Sequence, residues 1–226
     1  MIQLPQVEPY SDSNGNVIVG MPKWQTNVKV VFGATNCRIE IAEGVRLENL
    51  TINMTGPGGL LKIGRSSCVR SGVRVGLNSS IIIGERLSST SGGSFSAAEG
   101  TSVTIGDDCM FAVSIDIRSD HSHPIFDRAT GARTNVSKSV AIGNHVWLGP
   151  QAFVYPGSVI GDGAVIGARS IVFGTIPAHC VAVGTPARVV RENIVWDKTH
   201  VAITAPWQFD HLSDIKSPWL ANEYVS

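Results

Sequence analysis

The sequence predicts an all-β fold, a parallel coil of short strands stacked turn upon turn, and three observations in one stretch carry that prediction. From Val140 to Val172 every sixth residue is a branched aliphatic: Ile142, Leu148, Val154, Ile160, Ile166 and Val172. Two residues before each stands Val140, Val146, Ala152, Ser158, Ala164 or Ser170, aliphatic at first and then small. Gly143, Gly149, Gly161 and Gly167 directly follow four of the six aliphatics. A period of six is a multiple of the strand period of two and does not fit a helix of 3.6 residues per turn. The β-branched content agrees with strand. Each hexad then forms one short strand and a corner, three hexads close a triangular turn, and stacked turns align the aliphatics into a continuous core. Glycine at the corners is expected to supply backbone angles that other residues resist. An antiparallel sandwich would need hairpin turn signals between the strands, and only Asp162-Gly163 is placed to give one.

Length and composition suit one domain with a good core. The chain has 226 residues, 43% of them hydrophobic, and 24 glycines for a fold of many corners. Its 18 basic and 18 acidic residues cancel, so no electrostatic footprint points to nucleic acid or an anionic membrane. No apolar run is long enough for a membrane span, and the first residues lack the basic-then-apolar pattern of a secretory signal. Cys37, Cys68, Cys109 and Cys180 stand far apart with no CxxC. Free thiols in a reducing cytoplasm are expected, with no cysteine zinc site.

In chain order, residues 1–27 lack a clear period and are expected to cap the first edge of the coil. The coil itself is expected over 28–190. Ile39, Ile41, Val45, Leu47 and Ile52 alternate loosely with polar residues, and the six-step shows again at Ile63-Gly64, Val69, Val75-Gly76 and Ile81. Residues 85–100, rich in Ser and Gly, read as a loop or irregular surface coil. The ladder resumes at Ile105, Phe111 and Ile117 and breaks at Ser119. Residues 119–139 are polar, with Pro124, His121 and His123, and read as a loop extruded from one corner; long ordered loops are often functional. The rest, 191–226, with Trp196, Trp207 and Trp219, is expected to cap the far end.

The run IGNHVWLGPQAFVYPGSVIGDGAVIGARSIV with IPAHCVAVGTPARVVR resembles the hexapeptide-repeat acyltransferases. The His123-Pro124-Ile125 sequence with Asp127, some way before Trp147, is similar to the sugar and capsular-polysaccharide O-acetyltransferases among them. The resemblance covers roughly 100–191 well and 28–100 only as repeat pattern. It implies a left-handed parallel β-helix, acetyl-CoA as donor, a sugar or polysaccharide acceptor, and a homotrimer with active sites between neighbouring helices. No metal is expected. The resemblance also puts the catalytic histidine at His123, immediately before Pro-Ile. Trp147 then lies beside it, lining the acceptor pocket, and Gly167, Ala168, Thr185, Arg188 and Arg191 serve the donor. Many relatives carry Thr-Lys where this chain has Phe173-Gly174, which removes a polar contact and a charge.

The chemistry is consistent with those residue types. An attacking hydroxyl must lose a proton, and histidine titrates close enough to neutrality to take it and return it to the departing thiolate. His121 competes with His123 for that role. Asp120 or Asp127, or a backbone carbonyl, would orient the ring. Backbone N–H groups at a corner would receive the oxyanion, with Gly149, also counted among the cofactor-binding residues, one candidate. Trp147, one residue before an inward Leu148, should point outward, where its ring needs cover from substrate or from a partner subunit. Arg188 and Arg191 follow the Gly-Thr-Pro-Ala turn and suit phosphates. No serine or cysteine sits in a recognisable nucleophile setting, so direct attack is expected. The alternatives are an amino-sugar N-acetyltransferase, a zinc enzyme of the γ-carbonic anhydrase type using His121, His123 and His145, and a scaffold without catalysis.

Overall fold

The structure, a computed structural model, describes residues 1–199. Within them the chain is all-β: 24 strands in two sheets wind into the parallel β-helix that the repeat predicts, and no helix forms that could cross a membrane. The helix has three faces, taken here from one coil. Phe153–Val154 lies on face I, Trp147–Leu148 on face II and Val140–Ile142 on face III. Faces I and II belong to one 15-stranded sheet because the long strand Arg46–Met54 pairs with strands of both. Face III is the nine-stranded sheet.

Both inward columns of the repeat are buried. Ile142, Leu148, Val154, Ile160, Ile166 and Val172 are at most 3% exposed, and Val140 through Ser170 at the companion positions are as dry. Each coil hydrogen-bonds the next in register, as in Trp147↔Val165 and Leu148↔Ile166. Every large inward side chain therefore packs against the coil above and the coil below.

The glycines act differently from the expectation. Gly143, Gly149, Gly161 and Gly167 do not hold the positive φ angles. Those fall two residues later, at His145 (51°), Gln151 (61°), Gly157 (81°), Gly163 (66°) and Arg169 (57°), again in steps of six. The glycines are needed because the next coil comes too close. A Cβ on Gly149 would lie 2.8 Å from the Ala168 nitrogen, and one on Gly161 only 2.4 Å from that of Ala178.

Coil length explains why the repeat fades toward the N-terminus. Stacked partners are 18 residues apart at Ala141↔Val159, which is three hexads. They are 22 apart at Arg38↔Leu60 and Ser80↔Ser102, and 20 apart at Leu60↔Ser80. The earlier coils have four-residue strands and longer corners, so the six-step slips out of phase. For the same reason residues 85–100 are not an irregular loop. They contain strands Ser88–Ser89 and Gly93–Ala97, both in parallel register with their neighbours. One large inward residue, Phe95, fills that level and meets Phe111 edge to face at 6.0 Å.

Antiparallel pairs close both ends. Ile2–Leu4 pairs with Trp24–Phe32, and Tyr10–Ser11 with Val17–Val19, which itself joins face III in parallel. Strand structure thus begins ahead of the sequence-based boundary at 28. At the other end Val181–Gly184 turns back on Ala187–Arg191. Beyond that hairpin, Trp196 and Lys198 pack against the coils; the remainder of the expected cap, with Trp207 and Trp219, lies outside the described residues.

Candidate active site

The extruded loop leaves at the corner between faces I and III, after strand Ile115–Arg118, and returns at Val140. It is an ordered hairpin. Phe126 bridges Arg133, the Thr134 amide donates to the Ile125 carbonyl at 2.8 Å, and Arg133 holds Glu99 of the body at 3.0 Å. Asn135 clamps the histidine segment: its Nδ2 donates to the His123 carbonyl at 2.8 Å and its Oδ1 accepts from the Ile125 amide at 2.7 Å. The Ser137 hydroxyl adds a second tie to Glu99 at 2.7 Å.

His123 stands exposed on this hairpin, and its ring bonds no described residue. His121 is half-buried, its ring 5.7 Å from that of Tyr155. Tyr155 in turn packs against Phe153 at 4.7 Å and Phe173 at 4.4 Å, an aromatic cluster on face I that sequence reasoning did not assemble. Phe173, noted as a departure from relatives, gains a packing role here.

Neither candidate orienting carboxylate bonds a histidine ring. Asp127 is exposed and closes its own turn, accepting from the amides of Ala129 and Thr130 and from the Thr130 hydroxyl. Those bonds hold its pKa below the usual carboxylate value. Asp120 is buried at the root of the loop. Both its oxygens bind Arg74 Nη2, at 2.7 and 2.8 Å, and it accepts from the Ser96 hydroxyl at 2.9 Å and the Ser122 amide at 2.9 Å. Burial pushes its pKa up, but Arg74 and these hydrogen bonds outweigh burial and leave it lowered. Asp120 therefore anchors the root of the loop.

Trp147 points outward from face II as expected. Its column continues through Val165 and Val181 to Arg191. Three strand spacings separate the indole from that arginine, roughly 14 Å. Beside it runs a second strip at the corner between faces II and I, made of Gly149, Gly167, Val183 and Arg188. Gly149 cannot donate to an oxyanion, because its N–H is bound to the Ile166 carbonyl at 2.7 Å; the Gly167 N–H is likewise bound to Ala182. The Ala168 N–H has no partner among the described residues and is uncovered by the missing side chain of Gly149. Thr185, Arg188 and Arg191 are exposed at the end of the strip. The strip has no side chains at its glycines and ends at Arg188, while the Trp147 column beside it ends at Arg191. Such a track suits a long donor carrying amides and phosphates.

His145 belongs to a separate cluster. Its Nδ1 lies 2.8 Å from Asp108 Oδ2 and its Nε2 2.9 Å from the Trp196 carbonyl. Both partners carry acceptor oxygens, so both ring nitrogens are engaged. The Trp196 ring stacks on His145 at 4.0 Å and lies 5.7 Å from Trp147, and Lys198 closes on Asp108 at 3.0 Å. With both nitrogens taken, His145 does not join the loop histidines as a third metal ligand. The four cysteines are buried, and burial raises every thiol, Cys109 to about 12. None is available as a thiolate nucleophile.

Residues 139–174 match the family described as bacterial transferase hexapeptide (six repeats). The polysialic acid O-acetyltransferase of Neisseria meningitidis is 31% identical over 173 residues, covering 76% of this chain and 77% of that one. The chain belongs to the hexapeptide-repeat acetyltransferases. The polysialic acid O-acetyltransferase of Escherichia coli O1:K1 is 34% identical over 143 residues, 63% of this chain but only 46% of the relative. The solved structure of the polySia-specific acetyltransferase NeuO superposes with a TM-score of 0.75 at 30% identity, over 84% of this chain and 88% of that one. The left-handed β-helix expected from the resemblance is thus the fold that this family shares.

Proposed function

We propose that this protein transfers the acetyl group of acetyl-CoA to a hydroxyl of a sugar or surface-polysaccharide unit. The observation that carries this reading is an exposed, backbone-clamped histidine on a chain that also carries a glycine strip ending at Arg188 beside a Trp147 column ending at Arg191. The O-acetyltransferase relatives favour an oxygen acceptor over the amine of an amino sugar. His123 takes the hydroxyl proton as the oxygen attacks the thioester carbonyl. The tetrahedral intermediate then collapses, the C–S bond breaks, and the same proton passes to the departing thiolate. His121, packed on Tyr155, is the less accessible of the two histidines. The Ala168 N–H and the two arginines hold the donor, and Trp147 covers the reacting end.

The site is shared between copies in this reading. The histidine loop and the glycine strip sit at opposite edges of face I, so one chain presents each half on a different corner. The hairpin also carries Ile125 and Phe126, each 59% exposed, and such apolar area on an ordered projection wants a partner. A homotrimer places the hairpin of one copy over the strip of the next. A cytoplasmic location is supported by the proposed donor and by four buried free thiols.

Release of free CoA thiol from acetyl-CoA, measured with a panel of sugars and glycan fragments, tests the activity. Acceptor-dependent release that collapses in His123→Ala is the expected result. Release that survives in His123→Ala but not in His121→Ala would move the base by two residues, and no release with any acceptor would refute the reading.

A further inference from the structure

After the terminal hairpin the chain runs as an extended strap down the corner between faces III and II. Alternate residues of the strap touch that corner at successively lower coils. The Ile194 amide donates to the His179 carbonyl at 2.9 Å. The Trp196 indole N–H donates to the His145 carbonyl at 2.9 Å, and the Trp196 carbonyl lies 2.9 Å from His145 Nε2. Lys198 reaches Asp108 Oδ1 at 3.0 Å and the Arg86 carbonyl at 3.2 Å. Asp108 closes the circuit, because its other oxygen is 2.8 Å from His145 Nδ1. The Arg86 guanidinium adds a second cation at 3.8 Å. Burial pushes the Asp108 pKa up, but the His145 and Lys198 bonds outweigh burial and leave it lowered. A charged hub thus ties the strap to the coils.

What the circuit holds in place is the Trp196 ring, which is only 8% exposed. It stacks on His145 at 4.0 Å with 14° between the planes, and its centre lies 5.7 Å from that of Trp147. Trp147 has Met110 below it and Val165 above it in the same outward column. Along its own strand the corner residue His145 precedes it and Gly149 follows it. Trp196 therefore walls the indole on the side away from the glycine strip. On the opposite side Gly149 offers no side chain. A swing of the indole toward the corner is blocked, and a position over the strip is left to it. Closed hydrogen-bond networks of this kind rigidify what they hold.

We propose that Trp196 is a positioning residue for acetyl transfer: the strap, locked through His145, Asp108 and Lys198, holds the Trp147 indole over the glycine strip, where acceptor and thioester meet. The proposal rests on the reading of the protein as an O-acetyltransferase with Trp147 at the acceptor end of the donor track. Trp196 touches neither substrate in this account. It acts through Trp147, and Lys198 and Asp108 act through Trp196.

Two readouts on the full chain test it. In protein labelled with fluorotryptophan, the fluorine resonance missing from Trp147→Phe belongs to Trp147. Lys198→Met keeps both rings and loosens only the strap, so a shifted or broadened Trp147 resonance in that variant reports position and not a lost ring current. Trp196→Leu should move the resonance further. Kinetics use acetyl-CoA and whichever sugar or glycan fragment the parent acetylates fastest. A misplacement of about 1 Å costs up to about a hundredfold in rate. Trp196→Leu should accordingly raise the acceptor KM about tenfold and leave the acetyl-CoA KM within about twofold. Lys198→Met should raise the acceptor KM by about threefold. Loss of folded protein would instead lower kcat and leave both KM values alone. A Trp147 resonance unmoved in both variants overturns the proposal, and so does a moved resonance with a parental acceptor KM in both. A parent that acetylates no acceptor, with its Trp147 resonance still moved by Lys198→Met, would sink the enzymatic reading and leave the hold of the strap on Trp147 standing.

Discussion

Arg74→Met is the substitution whose cost the structure states most directly. It removes the only cation that the described residues place on Asp120 and leaves a buried carboxylate with the Ser96 hydroxyl and the Ser122 donors. Breaking a fully buried ion pair costs about 3–5 kcal/mol, and an exposed one contributes at most about 1. Asp120 is 3% exposed but the Arg74 side chain is 38% exposed, so an intermediate cost of about 2 kcal/mol applies. For a chain of this size that lowers Tm by roughly 4–8 °C. The pH dependence has a definite sign. Asp120 titrates below its ordinary 3.8 in the folded protein, so the stability it contributes is full above that value. It is lost as pH falls through the lowered pKa. The melting curves of parent and variant should differ at pH 7 and converge in acid. Hydrogen exchange at the Ser122 amide should quicken in the variant. A variant that melts within 1 °C of the parent at pH 7, or a gap that widens in acid, would refute the assignment of Asp120 as a charged anchor (the 1 °C threshold corresponds to about 0.25–0.5 kcal/mol).

Three further outcomes follow from the packing. Leu148→Ala leaves a void between two coils and should cost about 3 kcal/mol in denaturant unfolding; a loss below about 1 kcal/mol would mean the ladder relaxes around it. Gly149→Ala puts a methyl against the backbone of Ala168 and Ile166, which should destabilise by about 1–3 kcal/mol and raise KM for acetyl-CoA more than KM for the sugar. Trp196→Ala removes the ring stacked on His145 and the indole bond to its carbonyl at 2.9 Å. Acrylamide should then quench the tryptophan emission more strongly as Trp147 loses its cover, and unchanged quenching would separate the two rings.

The sequence made the C-terminal coils legible because each residue's role there depends only on its place in a hexad. Ile142 to Val172 need no long-range information to be read as core. The lower coils were partly hidden because their extra corner residues break the period, and Phe95 was missed because at its level an aromatic and an alanine stand opposite Val73 and Val75 in place of two branched aliphatics. The site was legible where it is local: His123, the loop and Trp147. It was not legible where it depends on partners from distant coils. Arg74 and Asp120 stand 46 residues apart, and His145 and Trp196 are 51 apart; no spacing rule links them. Gly149 looked like an oxyanion donor because it stands at a corner, yet the stacking of coils already takes its N–H.

Subunit complementation tests the central claim, that the loop histidine of one copy acts on a donor held by the next. His123→Ala and a Trp147→Ala, Arg191→Glu double variant are each expected to be inactive, and are co-refolded in equal amounts. In randomly mixed trimers about a quarter of the sites join an intact loop to an intact strip. Recovery of about a quarter of parental thiol release is the predicted result. Mixtures as inactive as the separate variants, in trimers shown to contain both chains, would place the whole site within one copy and contradict the account.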